Sequence, residues 1–528
     1  MADLTPANEN PWYVLMTLYG EQKGDEVDEA LHAENRKVWN TLIQQGGGAG
    51  EGAREVVAGM PSRDAWRDQH SEVRTKWKQV YEERNGIPFP EGFDLRARPC
   101  DLSRYKFESV VMLDGYFMPN VVIFDGSTFT HGLKSRSGYW GGRLSLVGCP
   151  INGHVDLQDS VFADGFSCRE AKIRGDLQLT DARMLGELIF DGVEIDGSLV
   201  ATRIGSERSL ESSGVKISKK ADFSDANFES SANFDDTTFI GDASFLNTTF
   251  SETARFVLTK FEQQVSFASS TFNHDAVFRN TRFLGCADFP NTQFLGSADF
   301  SEAIFQSLPL KSMSTVRFEG AVFKKFTSFR KCKFVSDYPD FFGATLYERT
   351  GFTAEDDFWP SAHHEKCKDA KDSCAIIRHA VAKQSLPEEE HFFFRREMGF
   401  AGQVEWANKD AGWPYFKAWP YWLFKVMSGY GESMARPIEW LCAVFGFGFG
   451  ALLGHFVAAS GIWTGLRLSA AISFSNLLPL FGFGRTFLKD ELEGLTAGLQ
   501  FLSGAQTVLA LPLLFFLGLG LRTRFRMR

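Results

Sequence analysis

Between positions 363 and 379 lie five side chains of metal-binding type: His363, His364, Cys367, Cys374 and His379. Imidazole nitrogen and thiolate sulfur are donors that zinc prefers, which makes Cys367, Cys374 and His379 candidate ligands. A zinc finger brings two close ligand pairs, and this spacing does not supply them. The better-supported reading is a helical connector with incidental Cys and His, and no metal or cofactor is expected. Gly48 and Gly50 with Ala53 match part of a dinucleotide fingerprint. That fingerprint works only between a strand and a helix. Here it follows a helical pattern, so Gly46-Gly47-Gly48-Ala49-Gly50 reads as a linker. The chain offers no nucleophile elbow, Walker loop or metalloprotease helix. No catalytic residue is assigned, and a non-enzymatic role is expected.

A different chemistry, ion coordination by backbone carbonyls, depends on the C-terminal region. Two apolar stretches there, about 438–459 and 499–521, are each long enough to cross about 30 Å of hydrocarbon. Between them the apolar run Leu468 to Phe483 is too short to cross, and about 468–485 reads as a re-entrant or interfacial segment. It ends in Pro479-Leu480-Phe481-Gly482-Phe483-Gly484-Arg485. Span, re-entrant helix, Gly-Phe-Gly and span is similar to the topology of a tetrameric potassium-type pore, which makes Gly482, Phe483 and Gly484 pore candidates. Two departures count against it. Leu480-Phe481 stand where that filter has Thr-Val, and Arg485 places a cation where it has an acid. An interfacial hairpin is therefore the leading reading, and an oligomeric, ion channel-like pore the alternative. Gly446, Gly450 and Gly454 form a small-residue stripe on the first span. Such stripes let helices approach closely, here the second span or another subunit of a homo-oligomer. His455 falls near the outer end of that span, within reach of headgroups.

The flanking sequence agrees with a bilayer as partner. Trp413-Pro414-Tyr415-Phe416-Lys417-Ala418-Trp419-Pro420-Tyr421-Trp422-Leu423-Phe424-Lys425 has the Trp, Tyr and Lys composition selected at a membrane–water interface. Arg436 precedes the first span, and Arg522, Arg524, Arg526 and Arg528 follow the second. The positive-inside rule then places both chain ends in the cytoplasm. The eight cysteines are scattered and there is no signal peptide, consistent with a reducing compartment. A multi-pass protein of the inner, cytoplasmic membrane is expected.

What must carry the rest of the chain is a repeat. At 528 residues it is too long for one compact core. Mean hydropathy of −0.17 with 44% hydrophobic residues excludes a wholly disordered or polytopic chain. A net charge of −10 excludes a nucleic-acid binder held by phosphate neutralisation. The 52 Phe against 11 Tyr and 12 Trp point to a repeated structural slot. Phe recurs at 223, 228, 234, 239, 245, 250, 256, 261, 267, 272, 278, 283, 289, 294, 300 and 305, in steps of five and six. Two residues before each stands a small or β-branched side chain: Ala221, Ala232 and Ala243 in one register, Ala226, Thr237 and Thr248 in the other. Inward residues at i and i−2 are strand alternation. Outward Asp, Asn, Ser, Thr and Gly are turn formers. The pattern predicts a solenoid with four sides per coil of about 22 residues, coils stacked by backbone hydrogen bonds, Phe filling the axis and the small residue fitting the wall. Residues 102–334 would make ten or eleven coils, roughly 50 Å long.

Stretches such as Ala221-Asp222-Phe223-Ser224-Asp225-Ala226-Asn227-Phe228 and Ala298-Asp299-Phe300-Ser301-Glu302-Ala303-Ile304-Phe305 resemble the Phe-centred pentapeptide-repeat proteins. The resemblance covers about 100–350 and implies a right-handed quadrilateral β-helix. Tyr430-Gly431-Glu432-Ser433, Arg436-Pro437 and the Leu-Arg-Thr-Arg-Phe-Arg tail resemble the membrane end of bacterial pentapeptide-repeat proteins with two C-terminal spans. Some soluble members imitate DNA. Residues 221–305 hold 12 Asp+Glu against 4 Lys+Arg, net −8, so an acidic DNA mimic is a further alternative that a membrane tether speaks against.

The expected organisation is mainly β: a helical N-terminal domain (1–98), a pentapeptide-repeat β-helix (99–350), a helical or interfacial linker (351–435) and a membrane domain (436–528). The expected role is a membrane-anchored scaffold that presents a cytoplasmic β-helix to an unidentified protein partner, with no nucleic acid involved.

Overall fold

A computed structural model describes residues 4–43, 67–93, 95, 99–306, 316–361, 366–407, 414–482 and 486–526. The chain divides into two compact units, Met1–Ser361 and Ala362–Arg528.

The first unit is a parallel β-solenoid. Four sheets of 12, 12, 10 and 10 strands run its length, and strands that neighbour each other in a sheet are one coil apart in sequence. The step is 22 residues: Leu199 pairs with Ala221, Ala221 with Ala243, and Ala243 with Val265. The last steps are longer: 29 residues in four successive pairs, from Ala287–Val316 to Ile304–Lys333, and then 23 from Ser328 to Gly351. The strands after these steps join the same four sheets, which explains why the Phe phase resumes after a gap.

The alternation of five and six residues has a structural cause. In the shorter step the chain turns through a left-handed residue, as in Phe223-Ser224-Asp225-Ala226, where Asp225 has φ 59° and the Ala226 N–H donates to the Phe223 carbonyl at 3.1 Å. Asp236, Asn247, Ser269, Asn280 and Asn291 take the same conformation in later turns. Asp and Asn tolerate it best after Gly. The six-residue step turns the other corners, where glycine is used for close approach: a Cβ on Gly175 would collide with the Gly153 backbone one coil below.

The interior is four ladders of rings. Phe267 stacks on Phe245 and Phe289 in its own ladder at 4.8 and 5.0 Å, planes within 4°. It meets Phe256 and Phe278 of the opposite ladder edge-on at 5.4 Å. Both geometries suit the ring quadrupole, and each is worth ~0.5–1.5 kcal/mol beyond burial. The two small-residue registers differ in role. The Ala register lies fully buried in the strands, as the wall-fitting expectation requires. The Thr register is also buried but hydrogen-bonds: Thr248, Thr259, Thr281 and Thr292 donate to the carbonyls of Phe223, Phe234, Phe256 and Phe267 at 2.6–2.8 Å.

Both ends of the solenoid are covered, which blunts the open strand edges. At the start, Thr5–Pro6 adds a parallel strand to Tyr105–Lys106. Helices α1 (Pro11–Met16), α2 (Glu29–Ile43) and α3 (Arg67–Asn85) pack beside it. Asn10 caps α1 by accepting from the Trp12 N–H, with Pro11 at the first helical position. Trp39 donates its indole N–H to the Phe117 carbonyl, and Asn40 bonds both Gly115 O and Phe117 N. The described N-terminal residues thus bond directly to the first coils. At the far end Phe352 and Trp359 stack on Phe329 and Phe334.

The second unit is helical among its described residues: α4 (Cys367–Ala382), α5 (Pro387–Ala407), α6 (Pro414–Ser428), α7 (Ala435–Ser460), α8 (Ile462–Leu477), α9 (Lys489–Glu493) and α10 (Ala497–Arg526). Helix α7 and the stretch Ala497–Arg522 of α10 are each long and apolar enough to cross a membrane. Gly461, at φ 84°, ends α7 and starts α8. Helix α8 then folds back on α7, where Gly465 lies against Val457. Leu452, Phe456, Ile472 and Leu495 form the shared core.

Candidate functional site

The solenoid axis is filled, so its chemistry lies on the outward positions of its strands and turns. Charged side chains there are tied to partners about one coil away. Arg203 meets Asp181 at 2.6 Å, Arg255 meets Asp235 at 2.6 Å and Arg279 meets Asp299 at 2.8 Å. The bond from Arg203 holds the Asp181 carboxyl below its usual range. Burial alone would raise Asp299, but hydrogen bonds from Ser301 and Arg279 outweigh it and leave the carboxyl low. These acids are ionised at neutral pH, and the 221–305 surface is a fixed array of carboxylates braced by fewer cations.

Four cysteines of this unit are buried and poorly suited to act as nucleophiles. Burial pushes the Cys149 thiol up to about 12 and raises Cys100, Cys168 and Cys332 as well. Between α1, α2 and the first coils lies a cavity of about 20 Å³ bordered by Tyr13, His32 and Tyr116. That is room for about one water.

The residues singled out from sequence fare differently. His363 and His364 lie outside the described residues, as do Gly48, Gly50 and Ala53. Cys367 and Cys374 share the buried face of α4, with the Cys367 thiol donating to the Gln403 side-chain oxygen at 2.9 Å, while His379 is exposed. Among the described residues no three His, Cys, Asp or Glu side chains gather as a metal group would need. Phe483 and Gly484 lie outside the described residues. Gly482, at φ 66°, closes a short 3-10 turn in which Leu480 and Phe481 are exposed.

Of the two partners expected for the glycine stripe, the second apolar helix and another subunit, the first is not the one it meets. Gly446, Gly450 and Gly454 do not meet the second apolar helix: a Cβ on any of them would touch nothing. The seam uses Gly448 instead, where a Cβ would overlap the Gln506 amide of α10. Helix rotation, which the stripe does not fix, decides which glycine serves. His455 is half-buried, its ring edge-on to Phe456.

The same seam holds a polar group that sequence reasoning missed. Asn476 of α8 donates to Ser503 Oγ at 2.8 Å and to Gln506 Oε1 at 3.0 Å. Gln506 in turn donates to the Val444 carbonyl of α7 at 3.2 Å. This chain joins all three helices, as polar side chains do between apolar helices. Ser469 and Ser473, fully buried on α8, have hydroxyls without a partner. The available signal was the spacing Ser469, Ser473, Asn476, which puts polar groups on one face of an otherwise apolar helix.

Comparison with known proteins bears on the solenoid. The family described as pentapeptide repeats (9 copies) matches residues 213–260 and 256–304. No curated protein and no solved structure matches the chain. The matched segments lie where Phe fills all four ladders, the 22-residue register extends on their N-terminal side, and the ladders continue past them through Phe318, Phe323, Phe329 and Phe334. The chain thus carries a pentapeptide-repeat solenoid and two apolar C-terminal helices.

Proposed function

We propose that this protein is a membrane-anchored interaction scaffold. The observation that carries this reading is a solenoid whose axis is packed solid with Phe rings, joined in one chain to two helices of membrane-spanning length. A filled rod of this kind offers lateral surface rather than a binding cavity, and solenoids bind along such surfaces. In this reading α7 and α10 cross the cytoplasmic membrane. Both chain ends lie in the cytoplasm, with Arg436 before the first crossing and Arg522, Arg524 and Arg526 at the end of the second. The partner is a protein that meets the carboxylate array on coils 221–305.

Photo-crosslinking groups placed singly at outward positions of these coils, Asn233, Ser244 and Ser266, test the reading in intact membranes. One discrete protein adduct, formed at lateral sites and lost on reversing neighbouring charges, is the expected result. Absence of any adduct, or recovery of the full chain in the soluble fraction, overturns it. Unitary currents from the purified protein in planar bilayers, abolished by changing Gly482, would overturn the scaffold reading in favour of a pore.

A further inference from the structure

Helix α6 leaves an apolar face without a partner among the described residues of its unit. Phe416, Trp419 and Trp422 are 77%, 57% and 50% exposed. Spaced by three residues, they line one side of the helix, and the Trp419 and Trp422 rings lie 5.6 Å apart. The other side is fixed. Ala418 is buried, and Phe424 stacks on Phe516 of α10 at 5.4 Å. Lys417 and Lys425 are exposed on the same helix, turned away from the aromatic face.

The position of α6 says what covers that face. Its last turn leads through Gly429–Met434 into α7. Arg436, at the start of α7, donates to the Lys425 carbonyl at 3.0 Å. Gly431 packs near Leu519 of α10, in the turn before Arg522. Helix α6 is therefore held where one apolar helix begins and the other ends, at the level of their flanking arginines. An exposed Trp-Phe face at that level, with lysines turned away from it on the same helix, matches an interfacial helix.

We propose that α6 is a third membrane contact, lying in the bilayer plane with Phe416, Trp419 and Trp422 buried at the headgroup–acyl boundary and Lys417, Lys425 and Arg436 at lipid phosphates. The proposal rests on the membrane reading of α7 and α10, and its test separates the two.

The full chain is reconstituted in vesicles of phosphatidylcholine, with and without phosphatidylglycerol, that carry lipids brominated at shallow or deep acyl positions. Tryptophan quenching is read for the parent and for Trp419→Phe/Trp422→Phe and Trp440→Phe variants. Shallow bromine is expected to quench Trp419 and Trp422, so the double variant loses at least half of the shallow-quenched signal. A Lys417→Glu/Lys425→Glu variant is expected to reduce that signal several-fold more in vesicles with phosphatidylglycerol than without it. Unchanged shallow quenching in the double variant, with Trp440 still quenched, overturns the α6 proposal and leaves the anchor intact. Loss of quenching at every tryptophan, with protein that does not float with the vesicles, overturns the anchor itself. Shallow quenching of Trp419 and Trp422 that ignores lipid charge overturns the assigned role of the lysines.

Discussion

The solenoid core and the seam among α7, α8 and α10 bury polar groups by opposite rules. In the coils the buried hydroxyls of Thr237, Thr248, Thr259, Thr281 and Thr292 are each answered by a carbonyl 25 residues earlier, the same bond recurring coil after coil. In the helical seam one connected group, Asn476 with Ser503 and Gln506, sits beside two serines with no partner. Repetition is the physical difference. A solenoid solves the satisfaction of one buried hydroxyl once and copies the answer. A helix bundle solves each contact separately, so its polar groups range from essential to idle.

The comparison can be broken most forcefully at its rigid side. Phe267→Ala removes a ring from two stacked and three edge-on pairs, and is expected to cost ~3–5 kcal/mol in urea unfolding followed by far-UV circular dichroism. A loss under about 1 kcal/mol would show that the ladders are not the source of rigidity. In the helical unit, Gly448→Leu drives a side chain into Gln506 and is expected to cost ~1–3 kcal/mol in detergent-phase thermal unfolding. Gly446→Leu, on the open stripe, should change the same melt by less than about 0.5 kcal/mol. Equal effects would return the stripe to the seam.

Hydroxyl deletions sharpen the contrast. Thr259→Val takes away a buried donor to the Phe234 carbonyl and should cost about 1 kcal/mol. Ser473→Ala removes a hydroxyl with no partner and should be neutral or slightly stabilising.

The smallest effect concerns the N-terminal cap. Burial lowers the pKa of His32, whose Nε2 lies 2.9 Å from the Asp114 carbonyl. The folded state then binds this proton less readily than the unfolded chain does. Stability of the cap is fully present above the unfolded value of ~6.5 and falls as pH drops below it. Hydrogen exchange of α2 amides should quicken, relative to α3, on acidification from pH 7 to 5, and His32→Gln should flatten that change.

Much of this was legible beforehand, but unevenly. Sixteen Phe in alternating steps disclosed four-sided coils of 22 residues, because strand alternation and turn composition leave few other ways to bury so many rings. The left-handed corner at Asp225 and the bond from Thr248 were not legible. Small residues two before Phe look alike in sequence, whether they sit in a strand like Ala221 or follow a turn like Thr237. Around α7 the sequence showed three glycines in a row on one face, and the structure used a different one.

What the sequence alone determined is therefore the periodic part: the coil length, the inward rings, and the two apolar stretches long enough to cross a membrane. Those follow from distances along the chain, where a period or a length already states the geometry. The tertiary structure decided which face of α7 meets α10, that Gln506 reaches the Val444 carbonyl over Gly448, and that α6 turns its aromatic side outward. Each depends on how a helix is rotated against neighbours distant in sequence, and an apolar helix, greasy on every side, carries no period that fixes that rotation.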